Sequence, residues 1–202
     1  MKKFVFLIRK KLHKGSGFSL VEMLFTILIL MLSTTIIIQC FGLGTGNFVR
    51  ETRASEAQLL CSSLTASIQN ELTFAQDIEL DGTNLKSYFS NSRRMGESCS
   101  IVVNNGEIMI QKPDPDNPSG DPLTYPLVAS ANYASDNRAG VSSGGEFLRA
   151  GMESITWDTT NKQFTVKIWV DDAKNVHDSF DAAKAGALAF SEFSVRPVGT
   201  VK

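Results

Sequence analysis

The sequence predicts an α+β protein in which one long N-terminal helix, apolar first and amphipathic later, is followed by an antiparallel β-sheet that its second half lies against. Three observations predict it. The run Phe18–Ile38 carries Glu22 as its only charge. From Asn47 to about Ile78 apolar residues recur at helical spacing, and from Ile101 onward they alternate with period two around turn residues. With 202 residues, 43% of them apolar, the chain has room for one globular domain plus further segments and is too apolar for global disorder.

The first 17 residues hold Lys2, Lys3, Arg9, Lys10, Lys11 and Lys14 and no acid. A formal net charge of −1 hides this asymmetry, because the rest of the chain is distinctly acidic. Such a body has no generic attraction for nucleic acid.

Phe18–Ile38 is long enough as a helix to cross roughly 30 Å of hydrocarbon. The basic cluster lies wholly before it, so the positive-inside rule places the N-terminus in the cytoplasm and everything after Gly42 outside. A cleaved secretory signal fits poorly, since its apolar core is shorter and ends in small residues, whereas this run ends in Ile36-Ile37-Ile38-Gln39. Gln39 also argues against lipidation of Cys40, because that chemistry resembles motifs with a small residue just before the cysteine.

At the border between charge and apolar run stands Gly17-Phe18-Ser19-Leu20-Val21-Glu22. It resembles the processing site of type IV prepilins and type II secretion pseudopilins: a basic leader, a glycine, an apolar residue, and a glutamate five positions after the cut. The resemblance covers about residues 10–45. It implies cleavage between Gly17 and Phe18 by a membrane prepilin peptidase, usually with methylation of the new terminal amine. It also implies assembly, through Phe18 and Glu22, with other pilin or pseudopilin subunits on an inner-membrane platform. The spacing has its own physical reading. A carboxylate inside an apolar span costs roughly 2.5–3.5 kcal/mol, so Glu22 needs a partner or a route to water. An amine at Phe18 lies one helical turn away, and an offset neighbour's amine comes closer still. The plainer alternative is an uncleaved anchor whose glutamate snorkels to the interface.

The implied divisions are a leader at 1–17, a transmembrane helix at 18–41, an amphipathic helix at 42–80 and a β-rich head at 81–202. Gly42, Gly44 and Gly46 each cost about 1 kcal/mol in a helix and predict weakening or bending there. Beyond them, Leu60, Leu64, Ile68, Leu72 and Phe74–Ala75 fall near one face, with Asp81-Gly82 as the stop. Asn104-Asn105-Gly106 between Ile101–Val103 and Ile108–Ile110 predicts a hairpin. Four prolines interrupt 112–122, Ser154–Trp157 and Phe164–Val170 form a second strand pair, and Leu188–Val195 adds a last strand.

Few residues invite chemistry. Asp114, Asp116, Asn117 and Asp121 supply oxygen ligands for calcium, yet their spacing is not that of an EF-hand and the segment is proline-rich, which favours a solvated turn. Cys40, Cys61 and Cys99 form no paired zinc motif. In an oxidising space Cys61 and Cys99 read either as a disulfide or as core thiols. After cleavage one histidine remains, His177, beside Asp178 and Ser179, and it reads as a surface histidine, so no enzyme is expected. Arg93, Arg94 and Lys86 make a small basic spot, with DNA a partner only for a competence pseudopilin. The expectation is a membrane-held structural subunit of a pilus or pseudopilus, a minor one given the irregular loops at 112–122 and 130–146. Its rivals are a single-pass anchored binding protein that never polymerises and, more remotely, an anchored hydrolase.

Overall fold

The computed structural model describes residues 19–91, 96–117, 120–128 and 147–202. Gly17, Phe18, Arg93, Arg94 and the 130–146 loop therefore lie outside the described residues. The architecture is α+β: helix α1 (Leu20–Thr73) leads into an antiparallel, curled nine-stranded sheet among the described residues. The chain divides into two compact units at Arg50/Glu51.

In the first unit α1 begins as Met23 N–H donates to the Ser19 carbonyl, 3.1 Å away. The helix runs unbroken through Gly42, Gly44 and Gly46, where bending was expected. A propensity cost of about 1 kcal/mol per glycine is too small to open a helix already nucleated on both sides. Thr45 adds a local tie, its hydroxyl donating to the Phe41 carbonyl at 3.0 Å.

In the second unit α1 turns one stripe inward. Ala57, Leu60, Cys61, Leu64, Ile68 and Leu72 are buried at helical spacing and join the main core with Ile78, Tyr88, Cys99, Ile108, Phe164, Val166, Ile168 and Val170. The Arg53 guanidinium pairs with the Asp172 carboxylate, and Ser90 Oγ donates to Glu71 Oε2 at 2.8 Å, so polar ties reach the sheet from separate turns of the helix.

The helix ends earlier than its expected limit near residue 80. Gln76–Asp81 is strand β1, with Asp77 in the left-handed region (φ 45°), and Phe74 is half-exposed rather than part of the apolar face. Ile78 is fully buried and Leu80 partly so, a period-two pattern hidden inside an apparent helical one. Asp81-Gly82 is therefore not a helix stop. It turns β1 into β2 (Asn84–Ser90), with Asp81 paired to Asn84.

Strands β3 (Gly96–Asn104) and β4 (Glu107–Lys112) form the predicted hairpin, with Asn105 and Gly106 both at positive φ (51° and 80°), as a tight primed turn requires. Short β5 (Leu123–Pro126) follows the proline-rich segment. The second pair is β7 (Thr156–Asp158) with β8 (Gln163–Asp172), and β6 (Leu148–Met152) and β9 (Ala189–Val195) also pair with β8. The Asp158 carboxylate accepts from Thr160 N, Asn161 N and Asn161 Nδ2 in the β7–β8 turn, which holds its pKa below the ordinary value.

The order is β5-β4-β3-β2-β7-β8-β6, with β1 on β2 and β9 on β8. Its halves meet at a narrow seam, Asn84 against Thr156, reinforced by Leu85 N to Ile155 O and Trp157 N to Thr83 O. Curling brings β6 back to the β3–β4 turn, where Ala150 N donates to Gly106 O at 2.7 Å. Helix α2 (Phe180–Gly186), capped by Ser179, covers part of the outer face and buries Trp169 against Phe180.

Candidate functional site

Among the described residues two regions hold the chemistry on offer, the start of α1 and a cleft at the end of β8. Every residue from Ser19 to Thr52 is exposed, and among them Leu20–Ile38 presents apolar side chains on all sides. By length and composition α1 is the one described helix able to cross a membrane. Glu22 stands in its first turn, exposed, and is the only charged residue between Leu20 and Val49.

The hydroxyls of this region are turned back on the helix. Thr26 Oγ1 donates to Met23 O at 2.8 Å, Ser33 Oγ to Ile29 O at 2.8 Å, Thr34 Oγ1 to Leu30 O at 2.8 Å and Thr35 Oγ1 to Met31 O at 2.9 Å. Each satisfies its donor without an outside partner, which suits an apolar surrounding. The sequence carried this signal in the Ser33-Thr34-Thr35 cluster, and hydropathy alone obscures it. Glu22 is then the residue whose polarity the helix does not absorb.

Cys61 and Cys99 are buried thiols, not a disulfide. Cys99 lies across from Tyr88 on β2, and Cys61 belongs to the buried stripe of α1. Burial pushes the Cys61 thiol up to about 11, and burial raises Cys99 as well. Burial, with the Glu71 and Cys99 charges behind it, also raises Tyr88, whose enclosed hydroxyl has no hydrogen-bond partner among the described residues.

His177 is not the surface histidine the sequence predicts. Its Nε2 lies 2.6 Å from Asp171 Oδ2, and the Asp171 side chain is only 3% exposed. The short loop from β8 to α2 folds back, so residues six apart meet, a closure that sequence spacing does not announce. Asp171 Oδ1 accepts from Asp172 N at 2.7 Å, leaving the carboxylate bonded at both oxygens. The pair lines a cleft of about 400 Å³ with Arg149, Asn105, Trp169 and Asp178. No serine, threonine or cysteine stands among the described lining residues, so the His–Asp pair has no hydroxyl or thiol beside it to activate there.

The acidic loop closes on itself. Asp114 Oδ1 accepts from Asp116 N at 3.0 Å and Asn117 O from Gly120 N at 2.9 Å. Among the described residues no three His, Cys, Asp or Glu side chains converge as metal ligands. No protein-family model, curated protein or solved structure matches the chain.

Proposed function

We propose that the chain is a type IV pilin-like or pseudopilin structural subunit, made as a precursor, cut after Gly17 by a prepilin peptidase and assembled into a pilus or pseudopilus. The single observation that carries this reading is an exposed apolar helix start whose sole charge, Glu22, sits where an amine created at Phe18 would lie one turn away. In the bilayer lipid satisfies the apolar side chains. In the filament other subunits' helices replace it, and Glu22 meets a terminal amine, its own or a staggered neighbour's. The N-terminus is cytoplasmic before processing, and the β-rich head faces outward as a minor subunit's partner surface. Secretion, adhesion, motility and DNA uptake are all tasks such a filament serves.

N-terminal sequencing of the exported chain tests the reading directly. A terminus at Phe18, methylated, together with loss of the chain from filaments in Glu22→Gln, is the expected result. A chain that keeps its lysine-rich leader, or a Glu22→Gln form that polymerises normally, overturns it. The cleft at His177 favours a second reading, a single-pass anchored binding protein whose head takes a ligand and never polymerises. That reading predicts an intact leader and no co-purifying pilin-like subunits.

A further inference from the structure

The edges of the sheet are guarded unequally. The outer side of β1 is taken by the C-terminal tail, with Ile78 N donating to Thr200 O at 3.1 Å and Lys202 N to Ile78 O at 2.9 Å. Strand β5 is four residues long and bracketed by Pro122 and Pro126, and β6 is engaged by the Ala150 to Gly106 bond. Short strands, prolines and covering segments are the ordinary ways of blocking strand addition. Among the described residues strand β9 has no proline and no segment bonded to its outer edge, although the Phe180 ring of α2 packs on its face against Phe190.

The seven residues Ala189–Val195 pair with β8 in unbroken register, without a bulge, and give an edge about 24 Å long. Its hydrogen-bond phase follows from the other side of β8. Glu153 N donates to Lys167 O and Ala173 N to Phe147 O, so the odd-numbered residues of β8 face β6 and the even-numbered ones face β9. The pairs Val166 with Phe193 and Ile168 with Ser191 are then the bonded ones. Phe190, Glu192 and Ser194 turn their N–H and C=O groups outward, where they bond to no described residue. Their side chains are exposed as well, Phe190 by 45%, while Ala189 and Val195 are buried.

We propose that the outer edge of β9 is a strand-addition site for an extended segment of a different protein, with a basic side chain set against Glu192 and apolar ones beside Phe190. The charge selects the occupant. A second copy pairing symmetrically would centre on Glu192 and set two glutamates directly opposite, which is destabilising. Antiparallel registers shifted by two residues set Glu192 against Phe190 or Ser194, so that its one opposite charge is Lys167 of β8, which Glu153 already engages at 3.5 Å. A foreign strand with lysine or arginine there gains the ladder and the pair together. The inference does not depend on the filament reading, since an anchored monomer presents the same edge.

Amide exchange of the full chain in detergent micelles tests this, with two acetylated seven-residue peptides of alternating threonine and valine as probes, one with a central lysine and one with a central glutamate. Without peptide, the Phe190, Glu192 and Ser194 amides exchange faster than those of Ser191 and Phe193. At a peptide concentration ten times the dissociation constant, the lysine peptide slows the three outward amides about tenfold and the glutamate peptide does so far less. Glu192→Lys reverses the preference. Ser194→Pro removes one outward donor and weakens binding, while slow exchange at Ser191 and Phe193 shows that β9 still holds to β8. The proposal is overturned if the outward amides are already protected in dilute peptide-free protein, or if slowing tracks protein concentration alone. Equal slowing by both peptides, or none at millimolar peptide, overturns it too.

Discussion

Residues 20–50 and 51–73 belong to one continuous helix, yet they are written for different surroundings. The first stretch is exposed at every position, carries apolar side chains all around, and folds its hydroxyls back onto its own carbonyls. The second buries one residue in three or four against a sheet and ties itself by Arg53 to β8 and by Glu71 to β2. The same backbone bonds serve both. What differs is where the apolar surface goes, into the chain's own core in one case and left exposed among the described residues in the other.

That contrast breaks most visibly when a leucine is truncated in each stretch. Leu64, fully buried, should cost about 3–4 kcal/mol of head stability as Leu64→Ala, because transfer and cavity terms add. Leu28→Ala, at a half-exposed position in the apolar run, should leave that stability within about 0.5 kcal/mol. Both tryptophans, Trp157 and Trp169, lie in the head, so denaturant unfolding followed by their fluorescence reads the head alone. Equal shifts from the two variants would mean that the division between the stretches is misplaced.

The head has its own divide, between a core that is mainly apolar and the polar closure at the end of β8. His177→Ala leaves the buried Asp171 carboxylate without one of its two bonds and should cost about 2–3 kcal/mol, read by the same unfolding curves. Adding Asp171→Asn should recover part of that loss, since a neutral amide is cheaper to leave buried. A His177→Ala protein as stable as the parent would return His177 to the surface role its sequence context implies.

How much of this was legible depends on the range of the interaction. The apolar run, the Asn105-Gly106 hairpin, the alternation of Phe164–Val170 and the strand at Ala189–Val195 are local patterns, and the fold class followed from them. Strand β1 was missed because Leu72, Ala75 and Ile78 fit a helical spacing as well as Ile78 and Leu80 fit an alternating one, and pairing with β2 decided between them. Helix α2 was overlooked although Ser179, Asp181 and Lys184 are ordinary cap and end residues for it. Trp169, on the face of β8 opposite Val166, Ile168 and Val170, is buried because α2 covers it. The His177–Asp171 contact is set by the return of a loop and leaves no mark in local sequence. The proposed processing site at Gly17 and Phe18 rests on sequence alone.

Glycines sharpen the comparison further. At Gly151 a Cβ would come 2.2 Å from the Trp169 indole, so the ring lies where only a glycine admits it. Gly151→Ala should displace the indole and cost about 1–3 kcal/mol, with a change in tryptophan emission at native conditions. In α1 the opposite holds, because a Cβ at Gly44 meets nothing within 4 Å.

Gly44→Ala should therefore add about 0.5–1 kcal/mol of local helix stability, visible as slower amide exchange near residue 44 in micelles, and leave the unfolding of the head unmoved. The effect is the smallest of the series and discriminates most between the two readings of the chain. If the glycines only tolerate a helix that other forces hold, the alanine form is a slightly stiffer anchor with every function intact. If they let neighbouring helices approach closely in a filament, the same stabilised chain assembles poorly, because the methyl group that meets nothing within the protomer meets another subunit instead. A gain in helix stability paired with a loss of assembly would locate the packing surface at Gly42–Gly46; a gain with assembly unchanged would move it elsewhere along the apolar run.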